Sequence, residues 1–139
     1  GADVDRPDGS ARSPLHLAVE RNDIRVIEVL LALGAQPDTL DKTGWTPLHH
    51  AAAGDKVDAA RALLTGGADP MSRSARGGTP LHEAAASGRE AMILLLLEAG
   101  TDPGVKAESG ITALDIARQY TNAPALRLLT ENPREPAKP

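Results

Sequence analysis

The chain has 139 residues, a formal net charge of −4 and no cysteine. This length suits one domain, and the modest negative charge gives no electrostatic footprint for nucleic acid. Without cysteine the chain has neither a disulfide framework nor a thiolate site. Hydrophobic residues make up 41% of the chain, yet there is no Phe, one Trp and one Tyr. A core must therefore be built from Leu, Ile, Val and Ala.

The sequence shows neither a membrane span nor a secretory signal. Its longest apolar run, Met92 to Leu97, lies between Glu90 and Glu98 and is far shorter than the roughly 20 residues that a span needs. The chain begins without Met and inside a repeat marker, which indicates a mature product or part of a longer protein. These features leave the compartment open, with the cytoplasm favoured.

Two phrases recur at a spacing of 33 residues. The first is a glycine marker: Gly1-Ala2-Asp3, Gly34-Ala35-Gln36, Gly67-Ala68-Asp69 and Gly100-Thr101-Asp102. The second follows within each unit: Ser13-Pro14-Leu15-His16, Thr46-Pro47-Leu48-His49, Thr79-Pro80-Leu81-His82 and Thr112-Ala113-Leu114-Asp115. A fixed period of this length is typical of a solenoid, in which each unit buries its apolar face against its neighbours. Such an architecture favours surface recognition over catalysis in a closed pocket.

Each unit predicts two helices and a loop, and the second unit shows this most clearly. A short helix is predicted over Pro47–Ala53, with Thr46 as N-cap and the proline at the first helical position. Gly54-Asp55 then turns the chain. A second helix runs from about Val57 to Leu64, and Gly66-Gly67 ends it.

The loops, turns and apolar stripes repeat in the other units. Residues 68–78 are rich in Gly, Pro and Ser and predict an extended loop or hairpin. Asn22 and Gly88 stand at the place of Asp55, and we expect a positive φ angle there. Four apolar positions at i, i+1, i+4 and i+5 predict one buried stripe in each second helix. They are Val26, Ile27, Leu30 and Leu31, then Ala59, Ala60, Leu63 and Leu64, then Met92, Ile93, Leu96 and Leu97.

With these motifs the chain closely resembles the ankyrin repeat family, whose signature stands almost complete in Asp41–His49, followed by Leu63-Leu64 and Gly67-Ala68-Asp69. The resemblance implies an all-α repeat solenoid of helix-turn-helix units with protruding β-hairpin loops, in which hairpins and first helices line a concave, partner-binding face. It covers residues 1–132, as units of about 1–33, 34–66, 67–99 and 100–132. We expect the proline-rich tail, residues 133–139, to be disordered.

The chain departs from the family pattern at five places. In the hairpins, Ala11 replaces a glycine, and Ser74 and Ala107 replace an aspartate. In unit four, Ala113 replaces the proline and Asp115 the histidine. These departures affect local geometry and leave the predicted architecture unchanged.

Three histidines recur at one place in successive units: His16, His49 and His82. Adjacent helices lie about 8–10 Å apart, whereas zinc needs donor atoms at about 2.0–2.1 Å, so these histidines cannot easily share an ion. As in the family, we expect each imidazole to bind backbone in an adjoining loop. We predict no metal and no cofactor. The place of His50 is held by Leu17, Glu83 and Ile116 in the other units. This variation indicates a partly exposed position.

The sequence does not predict an enzyme. His49-His50 and His82-Glu83 supply acid–base residue types, but catalysis needs such groups to converge on one point. Here they belong to the repeat pattern, and no insertion offers a pocket. No P-loop, dinucleotide fingerprint or zinc motif is present.

Two side chains break the repeat pattern. Arg118 stands where Ala52 and Ala85 stand in other units, and a fifth repeat would bury it at a cost of several kcal/mol if unpaired. We therefore predict that unit four is a C-terminal cap. Leu94 stands where the other second helices carry a charged residue, so we expect its side chain to face solvent on the outer side. It is either a single exposed leucine or part of a second contact surface on the convex side.

The predicted function is a non-catalytic protein–protein interaction module that presents a rigid concave face to a protein or peptide. The alternative is a regulatory or targeting segment of a larger enzyme or secreted effector, with catalysis on a domain outside this chain. Arg12, Trp45, Gly78 and Ile111 share one place in successive units and should form a row.

Trp and Arg are the residue types most enriched among interface hot spots. We therefore expect an acidic or carboxylate-bearing partner with an apolar anchor on Trp45, although this indole could instead only cover the neighbouring hairpin. We expect no nucleic acid, no membrane insertion and a monomer. The predicted contact residues are Arg12, Arg21, Lys42, Thr43, Trp45, His50, Arg73, Arg76, Ile111 and Tyr120.

Overall fold

The computed structural model describes residues 4–9 and 11–130. In these ranges a first and a second helix alternate through four units: α1 (Pro14–Glu20), α2 (Ile24–Ala32), α3 (Pro47–Ala53), α4 (Val57–Thr65), α5 (Pro80–Ser87), α6 (Glu90–Glu98), α7 (Ala113–Gln119) and α8 (Ala123–Thr130). The predicted all-α repeat fold is confirmed, and no helix in the described ranges is long and apolar enough to cross a membrane. The tail predicted to be disordered lies outside the described residues.

The helices pack in two layers. The first helices α1, α3, α5 and α7 contact one another in order, and so do the second helices α2, α4, α6 and α8. Within each unit the first helix also contacts the second. The core lies between the layers and consists of Leu, Ile, Ala and Val with Met92, as the composition predicts. Each unit therefore buries its apolar side chains against its own partner helix and its neighbours.

The first helices begin at a cap that the sequence predicts. In unit two, the Thr46 hydroxyl accepts a hydrogen bond from the backbone N–H of His49 at 3.2 Å. The backbone N–H of Thr46 in turn donates to Nδ1 of the His49 ring at 3.4 Å. Ser13 and Thr79 make the same reciprocal pair with the histidine three residues on. Two backbone donors at each helix start are satisfied in this way.

Each of these histidines also joins its unit to the next. Because a backbone N–H donates to Nδ1, the proton of the neutral ring lies on Nε2, which donates to a carbonyl oxygen in the following unit. The three pairs are His16 with Trp45 at 2.9 Å, His49 with Gly78 at 2.8 Å and His82 with Ile111 at 3.0 Å. Burial lowers the pKa of all three imidazoles, for His49 to about 4. The predicted backbone-binding role of the histidines is confirmed.

The turn between the two helices of a unit matches the sequence prediction at Asn22 and Asp55, whose φ angles are 52° and 54°. The prediction is wrong for Gly88, whose φ is −73°. Helix α5 continues to Ser87, one residue beyond the place where α3 ends, so only Gly88 and Arg89 separate it from α6. A Cβ atom at Gly88 would lie 2.6 Å from the Ala84 carbonyl oxygen. Glycine is thus needed here for a close approach and not for a left-handed backbone.

The loops contain tight turns, and no strand occurs among residues 4–9 and 11–130. In each loop turn a backbone N–H donates to the carbonyl four residues on: Asp8 to Arg12, Asp41 to Trp45, Ser74 to Gly78 and Ala107 to Ile111. Neighbouring loop turns are joined by Ala75 N–H to the Gly44 carbonyl at 2.8 Å and Glu108 N–H to the Arg76 carbonyl at 2.9 Å. The predicted β-hairpins are therefore turns without a strand ladder.

One prediction about the second helices needs correction. Val26 in α2 is 41% exposed, whereas its equivalents Ala59 and Met92 are fully buried. No described unit packs on that side of α2, so the end of the stack leaves part of the stripe in water. Leu94 is partly exposed and is not among the apolar side chains packed against the core, so its predicted outward position stays a prediction.

Ala11 adopts a left-handed backbone with φ of 57°, at the place where the later turns have glycine. This conformation strains an L-residue that carries a Cβ atom. Ala11→Gly should therefore raise the free energy of unfolding by about 0.5–1 kcal/mol, as measured by urea denaturation. Ala75→Gly, at a loop alanine without a positive φ, should lower it by a similar amount. A loss of stability in Ala11→Gly would contradict the strained backbone.

Arg118 is exposed and lies 3.9 Å from Asp115, while its equivalents Ala52 and Ala85 are fully buried. Arg118→Ala should therefore change the free energy of unfolding by no more than about 0.5 kcal/mol. The matched control Ala85→Arg places the same side chain at a buried position and should cost several kcal/mol. A large loss in Arg118→Ala would show that this end of the array is covered, against the prediction that unit four is the cap.

Candidate partner-binding face

An open groove of about 940 Å³ runs along the loop turns of units two to four. Its apolar lining includes Trp45, Ile111 and Tyr120, each from a different loop turn or helix end. Arg76 and Glu83 are among its charged residues. We call this surface the loop-side groove. It is formed because the stacking brings equivalent parts of successive units side by side.

Trp45 is fixed by contacts inside its own unit. Its backbone N–H donates to Asp41 Oδ1 at 3.2 Å, and the Thr43 N–H donates to the same oxygen at 2.9 Å. The indole packs edge-on against the His50 ring at 4.8 Å and lies roughly parallel to the His49 ring at 6.5 Å. The indole is therefore held in place by its own unit, and part of its surface stays accessible.

Asp41 organises this region. Its side chain is 2% exposed, and Oδ2 accepts a hydrogen bond from His50 Nε2 at 2.7 Å. Burial alone would raise the pKa of Asp41, but hydrogen bonds from Thr43, His50 and Trp45 outweigh it and lower the pKa to about 2. The ionised carboxylate is thus stabilised by the turn that it holds.

The structure divides the ten sequence-predicted contact residues into three groups. Five line the loop-side groove: Thr43, Trp45, Arg76, Ile111 and Tyr120. Arg12, Lys42 and His50, again with Thr43, line a smaller pocket of about 500 Å³ beside α1 and α3, which we call the histidine pocket. Arg21 and Arg73 line neither surface. Three members of the row predicted from the repeat register line this groove, Trp45, Gly78 and Ile111, whereas the fourth, Arg12, lies in the histidine pocket.

Two of the predicted basic contacts are engaged within the chain. Arg12 pairs with Asp8 at 3.2 Å and with Glu20 at 2.6 Å. Arg73 donates to the carbonyl oxygens of Gly77 at 3.2 Å and Lys106 at 3.0 Å, so it ties the third loop to the fourth. These guanidinium groups act in holding the fold, and binding a partner would require them to exchange existing contacts.

Glu83 is the groove residue that the sequence prediction left out of the contact set. It lies on α5, half-buried, at the place that His50 occupies on α3. Burial raises its pKa. The sequence shows that this position varies between units. It does not show that the carboxylate is half-buried, because that depends on neighbours from other units.

Three side chains in the histidine pocket bring potential metal ligands within 4.8 Å of one another: His16, Asp41 and His50. Their chemistry does not suit a metal ion. His16 accepts a hydrogen bond at Nδ1 from Ser13 N–H and donates from Nε2 to the Trp45 carbonyl, so the neutral ring has no free lone pair. Cationic side chains, including Lys56, line the same pocket and oppose a further cation. The cluster is a hydrogen-bond network that holds the second loop turn.

The stacked helix pairs, the bridging histidines and the loop turns define an α-helical repeat solenoid. A family model for ankyrin repeats in three copies matches residues 1–74, and a single ankyrin repeat model matches residues 76–108. The chain therefore belongs to the ankyrin repeat family. The comparison with curated proteins gave no match. Helices α7 and α8 lie beyond the matched residues and repeat the same helix pair. Ankyrin repeats are generally protein–protein interaction modules and typically non-catalytic.

The low pKa of Asp41 makes part of the stability depend on pH. Because the folded-state pKa is about 2 against an ordinary value of 3.8, the stabilisation is complete above pH 5 and is lost as the pH falls through about 4 to 2. The difference in unfolding free energy between wild type and Asp41→Asn should shrink by about 1–2 kcal/mol over that range. Urea denaturation at several pH values measures it.

Asp58→Asn is the control, since the Asp58 side chain is 75% exposed and its ion pair with Arg61 at 3.1 Å lies at the surface, where such pairs contribute little. Its difference from wild type should stay nearly constant over the same pH range. A constant difference for Asp41→Asn as well would show that the hydrogen bonds to Asp41 do not favour its ionised form.

Proposed function

We propose that this chain is a non-catalytic interaction module that binds a protein or peptide segment in the loop-side groove. The observation that supports this most is the convergence of three apolar side chains from separate loop turns or helix ends: Trp45, Ile111 and Tyr120. Ile111 is 37% and Tyr120 60% exposed, and Trp45 is partly exposed. The fold does not bury them, and an exposed apolar groove with a polar rim is typical of an interaction site.

Trp45 is the proposed anchor point. Its backbone is held by Asp41 and its ring by His49 and His50. A preorganised side chain loses little rotamer freedom on binding, so more of the contact energy contributes to affinity. Tryptophan is also among the residues most enriched at hot spots. An apolar side chain of the partner that packs on the accessible part of this indole would therefore carry much of the binding energy.

The partner is proposed to carry a carboxylate beside this apolar anchor. Arg76 lines the groove next to Trp45 and is exposed, and Lys42 is exposed on the neighbouring loop turn. Neither side chain forms an ion pair with any other described residue. Because the whole chain carries a net charge of −4, recognition of an acidic group rests on these local contacts and not on long-range attraction.

The alternative function stays a prediction. A regulatory or targeting segment of a larger enzyme or secreted effector could use the same groove to hold its target near a catalytic domain. No contact within the described residues favours that role over a free-standing module. Finding a catalytic signature in the full-length open reading frame would support it.

Trp45→Ala should weaken partner binding by about 2 kcal/mol or more, close to 30-fold in Kd. The partner would be captured from an extract of the native source on immobilised wild-type protein and identified by mass spectrometry. Isothermal titration calorimetry then compares wild type with Trp45→Ala. The physical reason is that the substitution removes the preorganised anchor surface from the groove.

Leu33→Ala is the matched control, because Leu33 is 63% exposed just after α2 and does not line the groove. It should leave the affinity unchanged. If Trp45→Ala keeps full affinity and only lowers thermal stability, the indole serves packing and the proposed anchor is wrong.

A further inference from the structure

The loop-side groove contains a carboxylate that the fold does not need. Glu83 is half-buried on α5, and the lining near it includes the apolar side chains of Ala86 and Ile116. The equivalent positions in the other units carry Leu17, His50 and Ile116, so the helix packing does not require an acid there. Burial without a compensating partner raises its pKa, which is a cost to the folded state.

No group of the described chain balances the charge of Glu83. The ion pairs among residues 4–9 and 11–130 do not include it, and no hydrogen bond to its carboxylate is present there. The titratable side chains that line the same groove are Arg76, His82, Glu108 and Tyr120.

None of these groups supplies a counter-charge. His82 is neutral, since burial lowers its pKa, and its Nε2 donates to the Ile111 carbonyl at 3.0 Å. Arg76 lies beyond ion-pair distance from Glu83. The groove therefore holds two carboxylates and one guanidinium, with the more buried carboxylate lacking a cation.

His50 shows how the same position behaves when the fold does satisfy it. Its Nε2 donates to Asp41 at 2.7 Å, and its ring packs against Trp45. One unit further along, Ser74 and Gly78 stand at the places of Asp41 and Trp45, and no described residue donates a hydrogen bond to Glu83. The polar group at this position thus serves the fold in unit two and faces an open groove in unit three.

We propose that Glu83 receives an arginine side chain of the partner segment that occupies the loop-side groove. This inference rests on the proposed function, because it names what the same groove recognises. A guanidinium suits the site better than an ammonium, since it can bind a carboxylate through two parallel hydrogen bonds and is more weakly hydrated. Trp45 and Tyr120 also line the groove and offer aromatic faces to a planar cation.

The partner segment would then carry two charged groups, an arginine that binds Glu83 and the carboxylate proposed to bind Arg76. Arg76 is exposed at the third loop turn, whereas Glu83 is half-buried on the helix behind it. A segment that fits both carries an apolar anchor, an acidic group toward the loop turns and an arginine toward α5. A wholly acidic segment would place its charge next to Glu83 and Glu108 and would be repelled there.

The test selects ligands without assuming a partner. A displayed library of random linear peptides is enriched separately on wild type, on Glu83→Gln and on Glu108→Gln, which removes the exposed carboxylate of the same groove. Peptides selected on wild type and on Glu108→Gln should share an arginine at a fixed position, and those selected on Glu83→Gln should not. Circular dichroism confirms that each variant keeps the helical content of wild type.

One peptide selected on wild type is then synthesised with arginine or with citrulline, which keeps the shape of the side chain without its charge. Fluorescence anisotropy should show that citrulline weakens binding to wild type by about tenfold or more. The same replacement should have little effect on binding to Glu83→Gln.

The outcomes separate this inference from the proposed function. Selected peptides that lose affinity with Trp45→Ala but need no arginine would overturn the role of Glu83 and leave the groove as the binding site. An arginine requirement that persists in Glu83→Gln would also overturn it. If no peptide is enriched, or if binding is indifferent to Trp45→Ala, the groove is not a peptide site and both proposals fail.

Discussion

The hydrogen bond from a buried imidazole in one unit to a main-chain carbonyl in the next holds this array together. Its donor, Nε2, is available because a backbone N–H at the helix cap occupies Nδ1. One ring therefore closes the start of its own helix and fixes the loop of the following unit. Burial keeps the ring neutral by lowering its pKa, so the bond does not depend on a charge that would be costly to bury. Unit four has Asp115 at this place, which satisfies the cap through Thr112 N–H at 3.0 Å and makes no bond to a further described unit.

This bond also explains why the residues along the loop-side groove can vary while the fold stays constant. The accepting carbonyls belong to Trp45, Gly78 and Ile111. The hydrogen bond uses only the backbone of these residues. Their side chains can therefore differ, as tryptophan, glycine and isoleucine do, without a change in the stacking. The same three residues line the loop-side groove. The histidines thus fix the backbone at a row of positions and leave the side chains there free to vary.

The helices could be predicted from the sequence because their determinants are local. Thr46 and Pro47 mark a helix start through the cap and the first-turn proline, whatever lies around them. The error at Gly88 is a local one: the turn pattern predicts a positive φ there, but α5 runs one residue longer and the Gly88 N–H donates to the Ala84 carbonyl. In the site, the repeat register predicted that Trp45 and Ile111 align. It could not predict that Arg73 binds the fourth loop, since that contact depends on where two loop turns meet.

Two carboxylates on this face differ in a way that burial alone does not explain. Asp41 is the more buried, yet its pKa is lowered to about 2, whereas the pKa of the half-buried Glu83 is raised. The difference lies in hydrogen-bond donors, because Thr43, Trp45 and His50 all donate to Asp41 and no described residue donates to Glu83. A carboxylate that the turn satisfies stabilises the turn, and a partner gains little by approaching it. A carboxylate left without donors destabilises the free protein, and a partner that supplies them recovers that energy as affinity. The donors around each carboxylate therefore distinguish Asp41, which holds the second loop turn, from Glu83, which is left for the proposed partner.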